Sequence, residues 1–186
     1  DAAKTSPYAF YQFWLGCSDA DVYRFLKYFT FLEVSEINAI EQADAAREGR
    51  PEAQAVLARE VTHLVHGEEG LAAAVRITES LFSGSIEGLA EGDLAQLRQD
   101  GLPASHVSRS QFPETLTQLL TEVGMAGSGK QVKDALGRSA VTINSRAVGW
   151  DANANVAGCF ELSEALYGRY YLVKLGKKKY HLFEID

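Results

Sequence analysis

The sequence predicts a mainly α-helical bundle followed by a small α+β domain, and two observations support this fold class. Residues 1–101 contain successive segments with apolar side chains at helical spacing, joined by short turns. Residues 113–186 combine short helical segments with β-branched and aromatic runs, and the last two runs flank a Gly-Lys turn typical of a hairpin. We therefore predict a helical domain at 1–101, a linker at 102–112 and an α+β domain at 113–186.

Caps, glycines and prolines bound the helices of the first domain. Ser6 is the predicted N-cap of the first helix, Pro7 occupies its first position and Gly16 ends it. Pro51 opens the fourth helix, and Gly67 ends that helix before a fifth begins. The predicted helices lie at 8–15, 20–31, 35–47, 51–67, 69–82 and 93–99. The residues that follow lack such spacing, which predicts a loop-like linker.

A glycine-rich segment between two predicted helices looks like a phosphate-binding loop. It reads Gly-Met-Ala-Gly-Ser-Gly-Lys-Gln from Gly124 to Gln131, whereas a P-loop ends in Ser or Thr and follows a buried strand. Residues 113–123 place leucines at helical spacing instead, and a short helix at 130–136 and a strand at 140–144 follow. A small nucleotide-dependent enzyme that uses this segment for ATP remains an alternative at this point.

Cationic side chains concentrate in the second domain. Residues 1–112 carry 9 Lys and Arg against 17 Asp and Glu, whereas residues 113–186 carry 9 against 8. Cations on a hairpin can reach phosphates while neighbouring rings offer stacking faces, so we predict a nucleic-acid interface. The predicted RNA-binding cations are Lys130, Lys133, Arg169, Lys174, Lys177, Lys178 and Lys179, with Tyr170, Tyr171, Tyr180 and His181 interleaved on the hairpin. The alternative is a protein-interaction module whose edge strand is protected by lysines.

Several other classes of function are not expected. Cys17 and Cys159 are too few for a disulfide framework or a zinc site, which favours a reducing compartment. His63 and His66 could face one side of a helix, but Gly67 breaks the helix there and we predict no metal site. No apolar run is long enough to span a bilayer, which predicts a cytoplasmic chain without a membrane partner.

Four segments of the sequence carry a resemblance to a known family. They are SPYAFYQFW at 6–14, DADVYRFLK at 19–27, LVHGEEG at 64–70 and LFSG at 81–84. Together they resemble the region that follows the catalytic domain of bacterial tyrosyl-tRNA synthetases. Residues 113–186 are similar to that family's C-terminal RNA-binding module, a small α+β fold shared with a ribosomal small-subunit protein and with pseudouridine synthases. The sequence begins without Met, and we expect it to be a piece of a longer polypeptide.

The resemblance implies a chain that binds tRNA and is not catalytic by itself. The family's catalytic domain uses ATP and magnesium to join tyrosine to tRNA, and its His-x-Gly-His and Lys-Met-Ser-Lys-Ser signatures are absent from this sequence. No catalytic residue and no cofactor are therefore expected here. The implied partners are tyrosine tRNA, through its anticodon stem-loop and long variable arm, and the catalytic domain of the same polypeptide, in a full-length homodimer.

The resemblance also implies roles for single residues. Lys130 and Lys133 match basic positions on the family's short helix, and the hairpin cations match its basic terminal hairpin, while Gly129 stands where Arg or Lys is common. Asp19 is a candidate for reading an anticodon base, because a carboxylate accepts hydrogen bonds from a base edge. It could equally help to start the second helix. Trp150, like the aromatic residues of the first helix, is predicted to lie in the core or at an interface with the catalytic domain.

Overall fold

The computed structural model describes residues 2–186, with only the backbone of Leu162, and the chain divides between Glu79 and Ser80 into two compact units. Residue 1 of the predicted helical domain lies outside the described residues. The predicted combination of a mainly helical part and a small mixed sheet is confirmed. The division differs from the prediction, because residues 80–101 form part of the second unit and not of the helical one.

The helices of the first unit lie close to their predicted positions, although α2 is shorter at both ends than the predicted 20–31. They are α1 (Pro7–Leu15), α2 (Val22–Phe29), α3 (Val34–Ala46) and α4 (Ala53–Ser83), whose last residues belong to the second unit. The Ser6 Oγ accepts a hydrogen bond from the Ala9 N–H at 3.0 Å, as an N-cap does. Gly67, inside α4, has a φ of 71° and a ψ of −176°, which breaks the helix at the predicted place. None of the helices that the structure describes is both long and apolar enough to cross a membrane.

The core of the first unit lies between α2, α3 and α4. Val22 and Leu26, four residues apart on α2, are fully buried, and Ile37 and Leu57 are buried in the same cluster. Burying a side chain of this size contributes about 1.5–3 kcal/mol. The apolar side of α2 therefore packs the three helices together.

The second unit is built on a five-stranded mixed sheet. Its elements are α5 (Glu91–Gln96), a π-helical turn (Leu97–Gly101), β1 (Ala104–Val107), α6 (Leu116–Glu122), α7 (Gly129–Gly137), β2 (Val141–Ile143), β3 (Arg146–Val148), α8 (Val156–Cys159), β4 (Tyr170–Leu175) and β5 (Lys179–Ile185). The strand order is β1-β5-β4-β2-β3; β1 runs parallel to β5, and the other neighbours are antiparallel. The predicted terminal hairpin is confirmed. The prediction of a loop-like linker at 102–112 is wrong, because β1 lies within it.

Protein covers both faces of this sheet. Tyr171 of β4 belongs to the core that α6 and α7 form on one face. Tyr170, its neighbour, points to the other face and is also buried. Residues 80–101 lie on that second face, since the Tyr180 hydroxyl donates a hydrogen bond to the Leu81 carbonyl at 2.7 Å. The second unit therefore has a helical layer on each side of its strands.

Candidate nucleic-acid interface

The glycine-rich segment 124–131 joins two helices. α6 ends before Gly124, whose φ of 77° turns the chain, and α7 begins at Gly129. A P-loop leaves a strand and offers free backbone N–H groups to phosphate. Here the Gly127 N–H donates to Oε1 of Gln131 at 3.0 Å, so the residue at the P-loop Ser or Thr position takes up one of those groups. The geometry does not favour the ATP-binding alternative.

The tip of the β4–β5 hairpin lies against this glycine-rich turn. The Lys179 Nζ donates a hydrogen bond to the Met125 carbonyl oxygen at 3.3 Å. Lys178 and Lys179 line a cavity of about 340 Å³ together with Val123 and Gly124. The hairpin tip therefore lies against the turn that leads into α7, and its action together with Lys130 and Lys133 stays a prediction.

Four lysines of the predicted set carry free ammonium groups. Lys130 and Lys133 are exposed on α7, whose opposite side buries Val132 in the core. Lys177 and Lys178 are exposed in the hairpin turn. None of these four makes an ion pair with another residue in the part of the chain that the structure describes. Exposed ammonium groups of this kind can replace the counterions of a phosphate backbone.

Two other predicted cations are engaged within the second unit. Arg169 pairs with Glu91 at 2.9 Å and with Glu184 at 3.5 Å. The Lys174 Nζ lies 5.1 Å from the centroid of the Tyr180 ring, on the sheet face away from α6 and α7. Arg169 is paired with carboxylates and Lys174 with an aromatic ring, so neither is a free cation like the four lysines above. Their assignment to tRNA stays a prediction.

The aromatic rings of the hairpin do not provide the predicted stacking faces. Tyr170, Tyr171 and His181 are buried, and Tyr180 is half-buried. The prediction is wrong because it assumes a sheet with one solvated face, whereas both faces of this sheet are covered. Burial also lowers the pKa of His181 below its ordinary value, so its imidazole adds no positive charge to the interface at neutral pH.

The structure adds two exposed groups near α7 that the sequence did not predict to belong to the interface. Trp150 is 53% exposed and lines a cleft together with Lys133, so it does not lie in the core. Its other predicted position, an interface with the catalytic domain, stays a prediction. Arg138, the residue after α7, is exposed as well. The polar run Asp-Ala-Asn-Ala-Asn that follows Trp150 is the sequence signal that could have indicated an exposed turn.

Asp19 lies in the first unit, and its carboxylate is held in place. It accepts a hydrogen bond from Nε2 of Gln54 at 2.6 Å, and the residue is exposed. The N-cap position of α2 is Asp21, which pairs with Arg24 at 2.6 Å and makes no side-chain cap hydrogen bond. Asp19 therefore does not cap α2, and its carboxylate retains lone pairs for a further donor. Its role in base recognition stays a prediction.

Of the two histidines of α4, His63 is exposed and His66 packs against an aromatic ring. The ring of His66 meets that of Phe10 edge-on, with 5.1 Å between the ring centroids, and burial lowers the pKa of His66 below its ordinary value. Across residues 2–186, no group of three or more His, Cys, Asp or Glu side chains is arranged to hold a metal ion.

Known proteins match both units of the chain. The family model for class I tRNA synthetases (W and Y) matches residues 1–83, and the model for the tyrosine–tRNA ligase SYY-like C-terminal domain matches residues 93–183. The tyrosine–tRNA ligase of Aliivibrio fischeri is 50% identical over 183 residues, which are 98% of this chain and 41% of that protein. This chain belongs to the tyrosine–tRNA ligase family.

Further members of the tyrosine–tRNA ligase family match to a similar extent. The enzyme of Chromobacterium violaceum is 49% identical over 184 residues, 99% of this chain and 42% of that protein, so the chain spans about two fifths of these relatives. A solved structure, the C-terminally truncated mitochondrial tyrosyl-tRNA synthetase of Aspergillus nidulans, aligns with a TM-score of 0.41 at 36% identity, over 44% of this chain and 24% of that chain. The C-terminal domain match includes most of α5 and all of β1. It therefore agrees with a second unit that begins well before residue 113.

Proposed function

We propose that this chain is the tRNA-binding portion of a tyrosine–tRNA ligase. It binds tyrosine tRNA so that a catalytic domain elsewhere in the polypeptide can attach tyrosine with ATP and magnesium. The supporting observation is the contact of the lysine-rich hairpin tip with the glycine-rich turn that leads into α7, in the unit that matches the family's C-terminal domain. The chain itself makes and breaks no bond, and its contribution is recognition.

Charge drives the binding. Each lysine that neutralises a phosphate releases counterions, so the logarithm of the affinity falls linearly with the logarithm of the salt concentration, by about 0.7–0.9 per contact. The formal net charge of −7 does not oppose this, because the field at the local surface decides electrostatic binding. The negative charge lies mostly in residues 1–112, away in sequence from the free lysines.

The two units engage different parts of the tRNA. The first unit, with Asp19, meets the anticodon stem-loop, and the second holds the long variable arm. The second unit is an RNA-binding domain of the ribosomal-protein-like type, which is supported by its small mixed sheet with α6 and α7 packed on one face. The full-length protein is a cytoplasmic homodimer.

Single lysine variants test the interface through the salt dependence of tRNA binding. Lys130→Ala and Lys178→Ala should each weaken binding of tyrosine tRNA and reduce the log–log salt slope by about 0.7–0.9 per lost contact. Fluorescence anisotropy of labelled tRNA at several salt concentrations measures both quantities. Lys174→Ala is the comparison variant: because its ammonium group already faces Tyr180, its loss should reduce the slope less than the loss of a free lysine. Unchanged affinity in both Lys130→Ala and Lys178→Ala would refute the assignment.

A further inference from the structure

A cleft of about 440 Å³ lies between α6, the start of α7 and the turn that follows β3. Trp150 and Lys133 line it, and Gln118 and Glu122 of α6 belong to its polar lining. Its volume is in the range of small-ligand sites. Trp150 is 53% exposed and Lys133 is exposed, so neither side chain is required to complete the core of the unit.

Contacts around the cleft fix its shape. Asn153, in the same short helical turn as Trp150, accepts hydrogen bonds at Oδ1 from the Thr117 N–H at 3.0 Å and from the Thr117 hydroxyl at 2.6 Å. Both Asn153 and Thr117 are buried, so the turn that carries Trp150 is tied to the start of α6. Gly129 lets the start of α7 approach α6 closely, because a Cβ there would stand only 3.1 Å from the Thr117 methyl group. The indole is therefore presented by a preformed site.

We propose that this cleft binds one unpaired nucleobase of tyrosine tRNA, stacked on Trp150, with the neighbouring phosphate at Lys133. Such a site presupposes the tRNA-binding function proposed above and adds a contact that charge alone does not supply. Stacking on an aromatic ring suits any base, since every base has a π face. The free ammonium group of Lys133 on the same cleft provides the charge that the attached phosphate requires.

The acidic side of the cleft gives the base an orientation. The Glu122 carboxylate accepts a hydrogen bond from Nε2 of Gln118 at 2.8 Å, which holds it at the lining. A carboxylate repels phosphate, but it accepts a hydrogen bond from the exocyclic amino group of a base. The base therefore enters with an amino-bearing edge toward Glu122 and its backbone toward Lys133. Adenine, cytosine and guanine should bind better than uracil.

The RNA element that fits the cleft is a loop, bulge or strand end. Bases inside an A-form helix are stacked on their neighbours, and their major-groove edges are inaccessible to side chains. Unstacked bases can turn out of the strand and lie on a protein ring. Intact duplex RNA should therefore leave Trp150 in contact with water.

Two independent signals test the stacking. The chain contains two tryptophans, Trp14 and Trp150, and binding of tyrosine tRNA should quench the part of the emission that Trp150→Phe removes. In anisotropy measurements with labelled tRNA, Trp150→Ala should raise the Kd about 5- to 150-fold. Trp150→Phe retains a ring and should keep most of the affinity. Neither variant removes a charge, so both should keep the wild-type salt slope.

The outcomes separate this site from the general tRNA-binding function. Equal tRNA affinity of the wild type and Trp150→Ala, with no quenching of Trp150, would overturn the stacking site and leave tRNA binding intact. An equal loss in the Ala and Phe variants without quenching would also overturn it, because the effect would then come from packing. If the wild-type chain binds no tRNA even at low salt, both proposals fail.

Discussion

Replacing Asp44 should destabilise the first unit, because this one carboxylate joins the last turn of α3 to the start of α4. Its Oδ1 accepts the Glu52 N–H at 2.7 Å, and its Oδ2 accepts the Ala53 N–H at 3.0 Å and the Tyr23 hydroxyl at 2.9 Å. Asp44 is only 9% exposed. The first N–H groups of a helix have no partner within it, so Asp44 acts as a cap supplied from a neighbouring helix.

The size of the effect follows from these three hydrogen bonds. A hydrogen bond to a charged group contributes about 1.5–3 kcal/mol, and a neutral one about 0.5–1.5 kcal/mol. Without the carboxylate, the N–H of the exposed Glu52 can donate a hydrogen bond to water, whereas the N–H of the fully buried Ala53 has no acceptor. We expect Asp44→Ala to lower the free energy of unfolding by about 3 kcal/mol. Asp44→Asn keeps one oxygen acceptor and should cost about 1–2 kcal/mol.

The cost of Asp44→Asn should depend on pH. Burial raises the pKa of Asp44, but the hydrogen bonds that it accepts and the nearby charge of Arg47 outweigh burial and lower the pKa below its ordinary value. A carboxyl group with a lowered folded pKa stabilises fully above its unfolded pKa of about 3.9, and this stabilisation is lost as the pH falls through the folded value. The difference between wild type and Asp44→Asn should therefore be constant from neutral pH to about pH 5 and shrink below about pH 4.

Urea unfolding followed by circular dichroism measures these differences. Tyr23→Phe is the matched control, because it removes one donor to the carboxylate and should cost about 1.5 kcal/mol, the lower end for a hydrogen bond to a charged group, since Tyr23 is only half-buried. Burial and the hydrogen bond to Asp44 raise the pKa of Tyr23 to about 12, so its hydroxyl remains a donor throughout the measurement. A cost of Asp44→Asn below about 0.5 kcal/mol at neutral pH, or one that does not change in acid, would refute the reasoning.

Two further substitutions address the backbone and the engaged cation. Gly67→Ala should cost about 1–3 kcal/mol in urea unfolding, since a φ of 71° with a ψ of −176° is accessible essentially to glycine alone. Gly92→Ala, in open space in α5, should instead stabilise by at most about 1 kcal/mol, and equal effects of the two would contradict the assigned strain at Gly67. Arg169→Gln should lower the stability of the second unit by less than about 1 kcal/mol, because its ion pairs are partly exposed. Because Arg169 is already paired, this substitution should reduce the salt slope for tRNA less than Lys178→Ala does, and an equal reduction would place Arg169 at the RNA beside the free lysines.

The features that the sequence predicted well are those that neighbouring residues determine. Ser6 and Pro7 specify the start of α1 through one side-chain hydrogen bond and one restricted φ angle. Gly67 breaks α4 because no other residue type readily adopts its backbone conformation. The β4–β5 hairpin is equally local, since its turn directly joins the paired strands. Each of these signals acts within a few residues and is therefore visible in the sequence.

The part that could not be predicted depends on pairing between distant segments. β1 is four residues long and alternates exposed with half-buried positions, so its own pattern is too short and too polar to indicate a strand. It becomes a strand because β5 offers a free edge, and the two segments are joined by parallel backbone hydrogen bonds. Residues 80–101 likewise look like one more amphipathic helix until the second face of the sheet is known. The wrong domain boundary and the wrong linker have this single cause.

The covering of the second sheet face by residues 80–101 also decides which cations of the candidate site are free. Strand alternation places Lys174 on the opposite face of β4 from Tyr171. Without residues 80–101 on that face, Lys174 and Tyr180 would be exposed and would form the stacking and phosphate site that the sequence suggested. With these residues in place, the Tyr180 hydroxyl donates a hydrogen bond to the Leu81 carbonyl, and the Lys174 ammonium group lies over the Tyr180 ring. The free charges are left at the hairpin tip and on α7.

A phosphate held by side chains differs from one held by a P-loop, and Gln131 is the residue that makes the difference. Its side chain accepts the hydrogen bond of the Gly127 N–H, so this backbone group is not available to a phosphate. The glycine-rich turn therefore offers a phosphate the flexible point charge of Lys130 and not a ring of backbone donors. Point charges bind any phosphate backbone and carry no sequence information. Discrimination of tyrosine tRNA from other tRNAs must then come from groups that touch bases or read shape. On the proposed function, the fixed carboxylate of Asp19 and the indole of Trp150 are such groups, one in each unit, while the lysines supply affinity and its salt dependence.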